Sequence, residues 1–117
     1  RHIVLKEIGG AGQVKLASSR AAIVGTGGIG CPAIQYLAAA GLGLLRIIDD
    51  DVVSLSNLQR QTLFGTDDIG RAKVEVAAEA VRRLNPDVRV ESVQARMNSE
   101  NVAELIGQVD LVLDGCD

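Results

Sequence analysis

A chain of 117 residues, 47% hydrophobic and 23% charged, fits one domain with material for a packed core. Only 2% of it is aromatic, so that core has to be built from Ala, Val, Leu and Ile. A net charge of −3 removes the electrostatic reason to expect nonspecific nucleic-acid binding, no apolar run approaches the ~20 residues of a membrane span, and residues 1–6 lack a signal-peptide pattern.

Residues 1–8 mix charge with Ile3, Val4, Leu5 and Ile8 before Gly9-Gly10-Ala11-Gly12 breaks any regular element. Residues 13–18 are long enough for one short helix. A strand is predicted over 20–25 and an Ala-rich helix over about 28–40, with Ile29, Ala33, Leu37 and Ala40 on one face. Gly41 and Gly43 end that helix. Between strand and helix, Gly25, Gly27 and Gly30 fit G-x-G-x-x-G, a turn that lets a phosphate approach backbone N–H groups at a helix start. Such glycines suggest a nucleotide without saying which. A Walker-type phosphate loop is excluded, because no Gly-Lys-Ser/Thr follows.

Residues 44–48 read as a buried strand ending in Asp49-Asp50-Asp51, where dinucleotide folds place the acid that meets ribose hydroxyls. Residues 52–70 form a long polar excursion with apolar anchors at Leu55, Leu58, Leu63 and Phe64, which marks it as ordered. A helix is predicted over 71–84, with Val74, Ala77, Ala78, Val81 and Leu84 as its stripe and Asn85-Pro86 as its stop. Residues 88–93 alternate imperfectly, as an edge strand would. Asn98 or Ser99 can cap a short helix through 106, with Gly107 beyond it, and residues 109–113 are a last strand. Alternation of strand and helix predicts a doubly wound, mostly parallel α/β sheet with helices on both faces. The expectation is a single domain over 1–117, cut short at its C-terminal end. Cys31 and Cys116 make neither a disulfide framework nor a metal knuckle, so a reducing, cytoplasmic setting is expected.

The runs Gly25-Thr26-Gly27-Gly28-Ile29-Gly30, Asp49-Asp50-Asp51 and Leu55-Ser56-Asn57-Leu58-Gln59-Arg60-Gln61, then Lys73, Asn85-Pro86 and 114–117, resemble the MoeB/ThiF family. The likeness covers the whole chain and is most specific over 53–61. Members are adenylyltransferases, relatives of the ubiquitin-activating enzymes, that activate ubiquitin-like sulfur-carrier proteins. The likeness is nearest to the molybdopterin-pathway branch, with the thiamine-pathway branch left open.

The resemblance implies a Rossmann-like fold and ATP-dependent adenylation of a carrier protein's C-terminal glycine carboxylate. It implies that Asp49, with Asp51 beside it, meets the ribose, and that the backbone of Gly25, Gly27, Gly28 and Gly30 lies against the nucleotide. Asn57, Arg60, Gln61 and Lys73 complete the nucleotide site, with Arg60 and Lys73 stabilising charge on the leaving pyrophosphate. Arg1 matches an arginine that reaches the triphosphate of a partner subunit, which implies a homodimer, and Asp117 matches an aspartate that holds Mg2+. Ile29 stands where the family has Leu, and Asp50 where Phe is common. The family's zinc-binding Cys-x-x-Cys pairs and later sulfur-transfer cysteine lie beyond residue 117, so this stretch supports neither Zn2+ nor a thioester step, and alone it is expected to be inactive.

Two other readings stay open. An NAD-dependent dehydrogenase domain explains the glycines and Asp49 equally well, but not the excursion with Asn57, Arg60 and Lys73. A non-catalytic dimerisation or scaffold half, of the kind found among ubiquitin-activating relatives, also fits the fold, which certifies no catalysis. Singly, Arg60 and Lys73 are ordinary surface charges; only their joint placement after the glycine turn favours phosphate contact.

Overall fold

The computed structural model describes residues 18–26, 30–54 and 65–114. The expected helix over 13–18 therefore lies outside the described residues, apart from Ser18. Among the described residues, four strands form one parallel sheet: β1 (Arg20–Val24), β2 (Leu44–Ile48), β3 (Arg89–Val93) and β4 (Leu111–Asp114), in the order β3-β2-β1-β4. Helix α1 (Gly30–Ala40) joins β1 to β2, α2 (Lys73–Leu84) joins β2 to β3, and the single turn α3 (Val102–Leu105) joins β3 to β4.

The chain steps outward from β1 to β3, then returns to the far side of β1. This reversal creates a switch point beside β1, and ligands of such sheets bind outside the strand carboxyl ends at that point. The strand period of two sends Ala21, Ile23, Leu45 and Ile47 to one face, where they join Ile34, Leu37, Val74, Ala77 and Val81 of α1 and α2 in a continuous core. Arg46, between Leu45 and Ile47, points to the opposite face. There its guanidinium donates to the carbonyls of Leu105 (2.8 Å) and Gly107 (3.0 Å), which places α3 on that side. Helices thus lie on both faces, as the alternation predicts.

Local chemistry sets the boundaries. At the end of α1, Gly41 takes φ +86°, its N–H donates to Ala38, and Leu42 N–H reaches back to Leu37, closing a Schellman turn. The second helix starts at Lys73 rather than at 71, because Val52 bridges Ala72 and Val53 N–H bonds the Arg71 carbonyl, drawing those residues into a short antiparallel contact. Leu84, expected on the buried stripe, is 52% exposed: it ends the last turn, beyond the reach of the core. The third helix is regular only over Val102–Leu105, shorter than expected, but Asn98 makes the expected capping bonds: its Oδ1 accepts from the N–H groups of Glu100 and Asn101 across the turn that leads into the helix. The strand expected over 88–93 does stand at the edge of the sheet.

Candidate nucleotide site

Three parallel strands end at one cavity of about 420 Å³, within the range of small-ligand pockets. The end of β1 contributes Val24, Gly25 and Thr26; the end of β2 contributes Ile48 and the acidic turn 49–51; the segment after β3 contributes Ala95, Arg96 and Met97; and Lys73 enters from the start of α2. Gly25 holds φ +91°, a conformation that side-chain-bearing residues avoid, and its N–H donates to the Ile48 carbonyl at 2.7 Å. That bond ties the glycine turn to the end of β2.

Asp49 is half-buried and held from several directions. Its Oδ2 accepts from the Thr26 N–H (2.9 Å) and the Thr26 hydroxyl (2.7 Å), and its Oδ1 accepts from the Asp51 N–H (2.9 Å). Its backbone N–H donates to the Val93 carbonyl and its carbonyl accepts from Ala95 N–H, so the acidic turn is stitched to β3 as well. Asp50 and Asp51 are exposed.

Lys73 is only 5% exposed, an unusual state for a side chain that is seldom buried without a partner. Its Nζ lies 3.8 Å from Asp51 Oδ2, and its backbone N–H donates to the Asp51 carbonyl at 3.0 Å. It is also the first residue of α2, where no N-cap side chain bonds the helix and the backbone dipole is positive. A lysine there adds charge to an end that already repels cations and attracts anions. The neck of the polar excursion fixes it: Asp51 to Val53 run against residues 70–73, with Gly70 N–H donating to Val53 and Val53 N–H to Arg71.

Of the residues singled out from sequence, Gly25, Asp49, Asp51 and Lys73 come together around this cavity. Gly30 opens α1. Arg1, Gly27, Gly28, Asn57, Arg60, Gln61 and Asp117 lie outside the described residues. The sequence reading missed Thr26, Ala95, Arg96 and Met97. Residues 95–97 follow the carboxyl end of a parallel strand, a position that could have flagged them. The arrangement can receive a ribose at the acidic turn and a phosphate chain between the glycine turn and Lys73.

Comparison with known proteins shows the family of the chain and its fold. Residues 1–117 match the ThiF family model. The chain is 55% identical to the SAMP-activating enzyme E1 of Haloferax volcanii, over all of this chain and 43% of that protein. It is 49% identical to the molybdopterin-synthase adenylyltransferase of Escherichia coli, over all of this chain and 47% of that one. Among solved structures, the ATP complex of Escherichia coli tRNA N6-threonylcarbamoyladenosine dehydratase superposes with a TM-score of 0.86 at 36% identity, covering 90% of this chain and 44% of that chain. The chain thus spans less than half the length of these relatives.

Proposed function

The chain belongs to the ThiF family, and from that premise we propose that the protein carrying it is an adenylyltransferase that uses ATP to activate a ubiquitin-like sulfur-carrier protein. The carrier's C-terminal glycine carboxylate attacks the α-phosphorus, an oxygen–phosphorus bond forms, and the bond to the β-phosphate oxygen breaks to release pyrophosphate. The substrate supplies the nucleophile, so the protein's task is to position the groups and neutralise charge.

In this reading Asp49 accepts from the ribose, the Gly25–Thr26 backbone lies along the nucleotide, and Lys73 meets the phosphates. Asn57, Arg60 and Gln61 extend the phosphate site, and Arg1 of a second subunit reaches the same triphosphate, which makes the working protein a homodimer. Mg2+, when bound, shields the triphosphate. By the family resemblance Asp117 would hold it, and the exposed carboxylates of Asp50 and Asp51 are oxygen donors of the type a hard cation takes.

One observation carries the proposal: a nearly buried lysine ammonium stands at the same cavity as the glycine turn and the ribose-type acid. A nicotinamide dehydrogenase would use the glycines and Asp49 but would leave Lys73 without a task. Titrating the full-length protein with Mg·ATP and with NAD, and measuring ATP–pyrophosphate exchange in the presence of a carrier, tests this. ATP binding without NAD binding is expected. Lys73→Ala is expected to cut exchange by about 10²–10³-fold, the scale for removing one preorganised charge-stabilising donor. NAD binding without ATP binding would make the protein a dehydrogenase instead.

A further inference from the structure

Thr26 is the second residue of the glycine turn and is fully buried. Its hydroxyl and its backbone N–H both donate to Asp49 Oδ2, at 2.7 and 2.9 Å, while the Asp51 N–H donates to Oδ1 at 2.9 Å. An ionised carboxylate has about four lone-pair positions, two on each oxygen. Thr26 therefore fills both positions on Oδ2, and Asp51 fills one on Oδ1. The Asp49 backbone is anchored by Val93 and Ala95, so the orientation of its carboxylate is left to these three side-chain bonds.

We propose that Thr26 is a positioning residue for nucleotide recognition: it clamps Asp49 so that a single acceptor position, on Oδ1, faces one ribose hydroxyl. The inference rests on the ATP reading above. The backbone N–H of this turn would be present with any residue at position 26; the hydroxyl is what completes the clamp. Two consequences follow from the geometry. The two ribose hydroxyls are recognised unequally, and the Thr26 hydroxyl matters only to a nucleotide that offers a hydroxyl to Asp49.

Calorimetric titration of the full-length protein with the Mg2+ complexes of ATP, 2′-deoxy-ATP, 3′-deoxy-ATP and 2′,3′-dideoxy-ATP reads both consequences. In the unmodified protein, one monodeoxy nucleotide should bind about tenfold more weakly than ATP, the scale of one hydrogen bond to a charged group, and the other should lose less than about twofold. Thr26→Val, which keeps the shape and removes the hydroxyl, should weaken ATP about tenfold and dideoxy-ATP by less than about twofold, and Thr26→Ser should restore ATP binding. Equal losses from the two monodeoxy nucleotides would overturn the clamp while leaving the ATP reading intact. So would a Thr26→Val variant that weakens ATP and dideoxy-ATP alike. Failure of the unmodified protein to bind any of the four would overturn the ATP reading and this inference with it. The arms on the unmodified protein hold whether or not the variants fold.

Discussion

On one face of the sheet, Ala21, Ile23, Leu45 and Ile47 meet α1 and α2 in a continuous aliphatic layer; on the other, Arg46 reaches across to hold α3 by two carbonyl oxygens. The first contact is broad and non-directional, and it fixes the strand ends that carry the cavity. The second is narrow and directional: α3 buries no residue, and Arg46 also pairs with Glu91 of β3 at 2.8 Å. β4 belongs to the weaker side of this division, with Leu111 and Val112 both more than 40% exposed. The strand ends of the site are thus backed by the continuous apolar layer, while on the opposite face, where Ala22, Leu44 and Ile48 are also buried, Arg46 sets the placement of a connection. Apolar burial supplies the dominant favourable term in folding, while a partly exposed ion pair supplies little.

The largest test of this contrast is Ile47→Ala. Ile47 is fully buried at the middle of the apolar layer, and its truncation leaves a cavity that rigid neighbours on α1 and α2 cannot fill. Urea denaturation should show a loss of about 2–5 kcal/mol. A loss below about 1 kcal/mol would mean that the layer repacks freely and does not hold the site ends in place.

Arg46→Met should cost less, on the order of 1–3 kcal/mol, because it removes donors from two carbonyls and from Glu91 but leaves the aliphatic layer untouched. The effect should also be local. Amide hydrogen exchange should accelerate at Leu105 and Ile106, whose N–H groups bond Asn101 and Val102, while Ile23 and Ile47 stay protected. Uniform acceleration across the sheet would show that the two faces unfold together and erase the distinction.

What could be read from the sequence follows the same division. The strand over 44–48 and the helix expected over 71–84, but for its first two residues, were legible because apolar period and helix stop agree there: the Asn85 amide donates to the Ala38 carbonyl, so this stop also joins the two helices of the apolar face. The glycine turn and Asp49 were legible as a pair by spacing alone. Thr26 was not, since a hydroxyl between two glycines carries no periodic signal, and its partner lies 23 residues away. Nor could the burial of Lys73 be read. Composition places lysine on the surface, and only the contact between 51–53 and 70–73 draws it inward. On the opposite face, Asn98 was legible as a capping residue, but not that the regular helix after it is a single turn.

The smallest effect belongs to the surface. Arg71 pairs with Glu79 through both guanidinium ends and lies 3.3 Å from Asp68, tying the neck of the excursion to α2 outside the cavity. The bond to Arg71 holds the Glu79 carboxyl below the ordinary glutamate range, and the same bond raises Arg71 further. A carboxyl with a lowered folded pKa stabilises the fold above its unfolded value, about 4.3, and that contribution disappears as pH falls through the folded value. Both side chains are about two-fifths exposed, so solvent and salt screen the pair. Arg71→Gln should therefore lower Tm slightly near about pH 7, with the difference shrinking in about 1 M salt and vanishing near about pH 2. A difference that persists near about pH 2 would mean that the apolar stem of the arginine does the work rather than its charge. That outcome would move the neck of the excursion from the charged side of the comparison to the apolar one.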